Sequence, residues 1–365
     1  MRLHFYFARK FVWTFALVFG VFLGILLLID IAEQLRKFDS SEVSLTELVA
    51  LSALNVPETL YRILPLIIIL STVALFLALA RSSELVVTRA SGRSAMRALI
   101  APVLVALAIG VAAVAIFNPI VAATSKEYEA RSRAYASGDA SVLSVSEDGL
   151  WLRQGSEDGQ TVIHAQEANL DGTRLRYASF MTFDREGLPI RRIEAETATL
   201  VEGAWLLIGA KIWPLAGSDN PERDSQFHAG YRLPSDLTRD QIRDSFGTPS
   251  AIAIWDLPAF IDRLDRAGFS ARSYRVWFQM ELALPFMLVS MVLIGAGFTM
   301  RHTRFGRTGI MVLSAVLLGF GLFFIRNFAQ VLGQNGQIPI TLAAWAPPVA
   351  AILLSLGLLL HMEDG

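Results

Sequence analysis

Few residues of this chain have the types and spacing that chemistry needs. The five histidines, His4, His164, His228, His302 and His361, show no metal-site spacing, and no cysteine is present to serve as ligand, nucleophile or disulfide partner. No G-x-x-x-x-G-K-[ST] phosphate loop, G-x-G-x-x-G turn, H-E-x-x-H or G-x-S-x-G elbow occurs. Acidic residues of the middle third are interspersed with arginines and single out no carboxylate pair for acid–base work. What is left is recognition of charge. Arg36, Lys37, Arg62, Arg131, Arg133 and Arg326 flank apolar runs, and arginines that converge can grip phosphate bidentately, so an anionic lipid headgroup is the natural partner of such a collar. Taken singly, each also fits an interfacial anchor whose charged head snorkels to water.

A second charged feature is "RSSELVVTRASGRSAMR", residues 81–97, with four arginines and one glutamate between two apolar runs. Leu85, Val86, Ala90 and Met96 among these charges predict a short amphipathic helix, with Glu84 near its N-terminus and Gly92 as a break. A rigid polar helix of that kind is something a separate motor subunit can push against. Read more plainly, the arginines mark a short loop on the cytoplasmic side.

The elements that position these residues follow from composition. Of 365 residues, 53% are hydrophobic and 18% charged, and the mean hydropathy of +0.47 is that of a membrane protein. A net charge of −1 argues against a nucleic-acid partner, whose phosphates would call for many basic contacts. Apolar runs near 11–31, 63–80, 99–123, 282–300, 308–325 and 339–360 predict six spans grouped three and three. The first follows Arg2, Arg9 and Lys10 but is too long for a signal-peptide core, so a retained helix is expected. Its Gly20 and Gly24 make a G-x-x-x-G step, a candidate seam for another helix.

Short loops holding Arg2, Arg9 and Lys10, then Arg81, Arg89, Arg93 and Arg97, then Arg301, Arg304 and Arg307 predict both termini in the cytoplasm. The long connection, roughly 124–276, then lies on the far side. Within 137–235 the pattern turns to short alternating segments separated by "DG" and "EG" turns, with Leu175, Tyr177, Met181 and Phe183 on one face. The expected fold class is a six-helix transmembrane protein with an inserted all-β jelly roll or sandwich of eight to ten short strands, over 124–254. A helix follows within 255–276, with Asp256 as N-cap, Ile261, Leu264 and Ala267 on one face, and Gly268 as its stop. The remaining spans occupy 277–365. An open sheet is either protected at its edges or extends by docking onto similar sheets.

The stretch at 83–92 resembles the coupling segment of the LptF/LptG permeases of the lipopolysaccharide export ABC transporter, in which "SELVV" precedes an "ASG" or "AAG" turn. The resemblance extends to "VPETLYRILP", "LSVSEDGLWLRQG", "LPAFIDRLDRAGFSARSYRVWFQMELALPF" and "GQIPITLAAWAPP", and so covers nearly the whole chain. "GLW" at 149–151 and the three-plus-three layout bring it nearer the LptG branch than the LptF branch.

The resemblance implies a non-catalytic subunit of the bacterial inner membrane. Its six helices would pair with those of an LptF-like paralogue around a lipid cavity. Its β domain would be periplasmic and would hand lipopolysaccharide to LptC-like and LptA-like sheet proteins. ATP and magnesium would be bound by a separate LptB-like ATPase dimer, and no cofactor by this chain. Glu84, Leu85, Arg89, Ser91 and Gly92 would meet that ATPase, Glu84 through an arginine. Arg36 and Lys37 match the family's headgroup-binding basic residues, while a further family lysine aligns with Asp30. The headgroup contact is therefore expected to fall also to Arg62, Arg131, Arg133 and Arg326, or the lipid to carry fewer phosphates. A membrane sensor with a ligand-binding ectodomain is the competing class; it would carry a signalling module inside, where only "HMEDG" is read after span six.

Overall fold

A computed structural model describes residues 2–37, 44–82, 84, 95–135, 143–146, 149–156, 159–169, 172–184, 186–235, 237–238, 242, 248–266, 270–300 and 308–364. In chain order the helices are α1 (Arg2–Lys37), α2 (Leu45–Arg81), α3 (Ala95–Ala112), α4 (Asn118–Tyr135), α5 (Leu257–Arg266), α6 (Arg272–Thr299), α7 (Thr308–Gln334) and α8 (Ile340–Asp364). The strands are β1 (Leu143–Ser146), β2 (Gly149–Ser156), β3 (Gly159–Ala168), β4 (Arg174–Phe183), β5 (Pro189–Val201), β6 (Ala204–Pro214) and β7 (Gln226–Pro234). Two compact units result, one of Met1–Ala136, Ser250–Trp255 and Arg272–Gly365, the other of Ser137–Pro249 and Asp256–Ala271.

The first unit contains six helical spans long and apolar enough to cross a membrane, the third being α3 and α4 joined through a π-turn at Ala113–Phe117. Helix α2 starts 18 residues before its apolar run, because Ser44 and Glu47 form a capping box: the Ser44 hydroxyl accepts from Glu47 N–H, and the Glu47 carboxylate accepts from Ser44 N–H at 2.9 Å. Ile68, Ile69 and Phe76 of α2 pack with Leu288, Met291 and Val292 of α6, all fully or almost fully buried. Within lipid, close packing and polar contacts rather than water exclusion hold helices together. Gly110 of α3 illustrates this: a Cβ there would lie 2.5 Å from Pro285 Cα, so a side chain would push α3 off α6. Helices α1 and α7 instead turn large apolar groups outward, among them Trp13 (73% exposed), Leu28 (70%), Phe324 and Phe328 (66% each). Gly20 and Gly24 of α1 face open space, so their seam is unused inside the unit.

The second unit is built on one antiparallel sheet in which each strand pairs with its sequence neighbours, in the order β1-β2-β3-β4-β5-β6-β7. Where eight to ten short strands of a sandwich or jelly roll are expected, the described residues give seven in a meander, with β4, β5 and β6 running 10 to 13 residues. Leu152, Ile163, Phe180, Ile193, Trp205 and Leu207 form the buried face, Trp205 and Phe180 meeting edge to face at 6.2 Å. On helix α5, Leu257 and Leu264 are buried and Ile261 half-buried, while Ala267 and Gly268 of the expected face and stop lie outside the described residues; Asp256 O accepts from Phe260 N–H.

One detail departs from simple alternation. Leu175 is buried, but Tyr177 is exposed with φ 51°, and burial resumes at Ala178, Phe180 and Thr182. The expectation that Tyr177, Met181 and Phe183 continue the face of Leu175 is therefore corrected. Tyr177 falls between the pairs Arg176–Thr197 and Ala178–Ala195, and Gly209, which has φ 65°, falls between the pairs Thr197–Ile208 and Glu194–Lys211, against the Glu196 side chain. A positive φ skips one step of the pleat. The two lie on alternate strands of one transverse line, so β4, β5 and β6 change face together along a crease. A groove of about 750 Å³ opens on the outer side there, lined by Trp151, His164, Tyr177, Arg192, Glu196 and Trp213 among others.

Candidate functional site

The basic collar separates into distinct environments. Arg36 and Lys37 end α1 with exposed side chains, Lys37 Nζ donating to Ser132 Oγ of α4 at 3.3 Å. The exposed Arg62 is paired one turn away with the more buried Glu58 at 3.1 Å, and Arg131 with Glu127 at 2.7 Å, both half-exposed. Such pairs hold little energy and can exchange partners. Arg133 lies within α4, its side chain outside the described set.

Arg326 stands apart. It is 8% exposed, in α7, eight residues before that helix ends, and its charge acts on Glu281 and Tyr61. Glu281, 1% exposed, accepts hydrogen bonds from Tyr61 Oη and from Asn118 Nδ2, the latter at 3.3 Å. Arg326 is expected from the sequence to be a boundary anchor or a headgroup contact; it and Glu281 are neither. They are instead the heart of a buried cluster drawn from α2, α4, α6 and α7. The reason is physical: α6 begins nine residues before Glu281 and α7 continues past Arg326, so neither lies at a helix end, and each supplies the other's counter-charge. Asn118, which follows the π-turn, also accepts from Ile254 N–H through Oδ1 at 2.9 Å, and Ala115 O of that turn accepts from Trp255 Nε1 at 3.2 Å. A π-turn of this kind commonly marks a functional position.

Asp30 is likewise internal, at 8% exposure. Asn55 Nδ2 of α2 donates to its Oδ1 at 2.6 Å and Gln34 Nε2 to its Oδ2 at 3.4 Å, while Gln34 also donates to Tyr128 Oη at 3.0 Å. The carboxylate therefore ties α1 to α2 instead of facing a lipid.

At the opposite end of α1, Lys10 Nζ donates to Glu84 Oε1 at 2.8 Å, and Tyr6 Oη to Glu84 Oε2 at 2.9 Å. Ser82 Oγ, at the end of α2, donates to Oε1 at 2.8 Å. Partial burial pushes the Glu84 carboxyl up, but the hydrogen bonds from Lys10, Ser82 and Tyr6 and the Lys10 charge outweigh it, so the group is held below the usual carboxylate range. Leu85, Arg89, Ser91 and Gly92 lie outside the described residues. Sequence reasoning found Glu84 but missed its partners, for which the only signal was the i, i+4 spacing of Tyr6 and Lys10. Among the described residues no group of three or more His, Asp or Glu is placed to hold a metal ion.

These features define a multi-pass membrane protein with an inserted antiparallel β domain. The family model of the lipopolysaccharide export system permease LptF/LptG matches residues 5–361, and the chain belongs to that family. It is a lipopolysaccharide export permease subunit. It is 23% identical over 346 residues to the lipopolysaccharide export system permease protein LptG of Haemophilus influenzae, covering 93% of each chain. To LptG of Escherichia coli (strain K12) it is 24% identical over 353 residues, covering 92% of this chain and 91% of that protein.

Proposed function

We propose that this chain is the LptG-type half of a heteromeric permease that draws lipopolysaccharide out of the inner membrane, with ATP hydrolysed on a separate LptB-like ATPase dimer. An LptF-like paralogue supplies the other half. Both termini and the 81–97 segment face the cytoplasm, and the β domain lies in the periplasm, where it passes lipid to LptC-like and LptA-like sheets. Glu84, with Leu85, Arg89, Ser91 and Gly92, meets the ATPase, and Arg36 and Lys37, with Arg62 and Arg131, meet the phosphorylated headgroup. The LptG assignment is supported by the names of the relatives.

The observation that carries the two-subunit reading is the contrast between helices. Helices α2 and α6 are buried within the unit, whereas α1 and α7 leave continuous apolar faces outward, the seam of Gly20 and Gly24 included. Those faces suit a partner's helices on one side and acyl chains on the other. Purification from native membranes in mild detergent is the test. An ATPase and a second permease of the same family should accompany the chain in fixed stoichiometry, and isolation as a stable monomer would contradict the reading.

A further inference from the structure

Glu84 is the residue through which a motor is proposed to act, yet its carboxylate is already occupied. Each carboxylate oxygen offers two lone-pair directions. Oε1 takes Lys10 Nζ and Ser82 Oγ, both at 2.8 Å, and Oε2 takes Tyr6 Oη at 2.9 Å. Lys10 Nζ also donates to Tyr6 Oη at 3.2 Å and sits 5.3 Å from that ring's centre. Lysine, tyrosine and carboxylate thus form a closed triangle between α1 and the start of the 84–94 segment.

This geometry conflicts with a second ligand. A guanidinium fork binds a carboxylate through two parallel N–H···O bonds, one on each oxygen. Oε1 already takes two donors, so the fork cannot seat until one of them leaves. Lys10 is the donor that has to leave, because its ammonium would otherwise stand against the incoming cation, whereas Ser82 is neutral. Side-chain exposure of 29% for Lys10 and 30% for Glu84 leaves the pair open to such an approach.

We propose that Lys10 and Tyr6 form an intramolecular latch on Glu84, which a cationic side chain of the motor subunit displaces on docking, releasing α1 from the coupling segment. The proposal rests on the reading of Glu84 as the motor contact. Once released, the end of α1 is held chiefly by packing, through Phe7 and Phe11, which are 2% and 0% exposed. Helix α1 has the smallest buried share of any span, 6% of its apolar window, so its tether to Glu84 governs its freedom more than that of a core helix.

The test titrates the ATPase dimer onto the complete permease pair in lipid nanodiscs, carrying wild-type chain, Lys10→Met, Tyr6→Phe or Lys10→Arg. Lys10→Met should bind the ATPase about two- to fivefold tighter, the range expected for removing one partly exposed ionic competitor. Tyr6→Phe should shift binding the same way by less, and Lys10→Arg should stay near wild type. A spin label replacing Phe5, which is 74% exposed, should gain mobility when ATPase is added to wild type, and should be mobile without it in Lys10→Met. Weaker or unchanged binding of Lys10→Met and Tyr6→Phe, with the label unaffected, overturns the latch alone. Absence of ATPase binding to wild type overturns the motor-contact reading together with the latch.

Discussion

Asn118 holds Glu281 on one side and the chain at Ile254 on the other: Nδ2 donates to Glu281 Oε2 at 3.3 Å, and Oδ1 accepts from Ile254 N–H at 2.9 Å. One amide thus joins the carboxylate of α6 to the segment Ser250–Trp255. With Tyr61 and Arg326 it forms the polar centre of the helical unit. Removing one member of a buried charge pair leaves the other uncompensated, at a cost of roughly 3–5 kcal/mol. Glu281→Gln should therefore lower the thermal unfolding midpoint in detergent by several degrees, and Arg326→Met should do the same. If the double variant, Glu281→Gln with Arg326→Met, proves more stable than either single variant, the two charges are coupled as described.

The collar makes a graded prediction. Reversing Arg36 and Lys37 to glutamate should reduce photocrosslinking to lipopolysaccharide several-fold, because both side chains are exposed at the end of α1. Arg62→Ala and Arg131→Ala should reduce it less, each residue sharing its charge with Glu58 or Glu127. Asp30→Lys should not strengthen headgroup binding. It should loosen α1 from α2 by about 2 kcal/mol or more, through loss of the Asn55 and Gln34 contacts and burial of an unpaired cation.

The crease of the β domain is tested by its two positive-φ residues. A Cβ on Gly209 would meet the Glu196 side chain at 3.0 Å in a backbone region that costs other residues about 1–2 kcal/mol, so Gly209→Val should destabilise the sheet by at least that amount. Tyr177→Gly relieves the same kind of strain but frees the unfolded chain, so it should change resistance to proteolysis of the β domain far less than Gly209→Val does.

For Glu84 the sign of the pH dependence is fixed. A carboxyl held below its ordinary 4.5 keeps its contacts through neutral pH and loses them as pH falls through the depressed value. The mobility of a label at position 5 should therefore be flat from pH 5 to 8 and rise only in stronger acid.

The six spans were legible because a run of some 20 apolar residues has few other uses, and each expected run falls on one of the six helical spans. Their lengths were less so: hydropathy ignores amphipathic extensions, and α2 begins at Leu45 on the strength of the "SLTE" capping box, a signal present in the sequence and not used. The π-turn at Ala113–Phe117 carries no residue that announces it. Charges were read by their position along the chain, which misled for Arg326. Glu281 and Arg326 lie 45 residues apart on different helices, and only packing brings them close enough for their charges to act on each other. The crease escaped for the same reason, since Tyr177 and Gly209 belong to alternate strands whose register is a tertiary property.

The central claim is that this chain moves lipopolysaccharide using energy released on another subunit through Glu84. The most direct measurement is release of lipopolysaccharide from proteoliposomes to a soluble acceptor, with the chain, its paralogous permease and the ATPase dimer reconstituted together. The account predicts ATP-dependent release that requires all three and falls at least tenfold in Glu84→Ala. Release that proceeds without the ATPase, or is undiminished in Glu84→Ala, would contradict it.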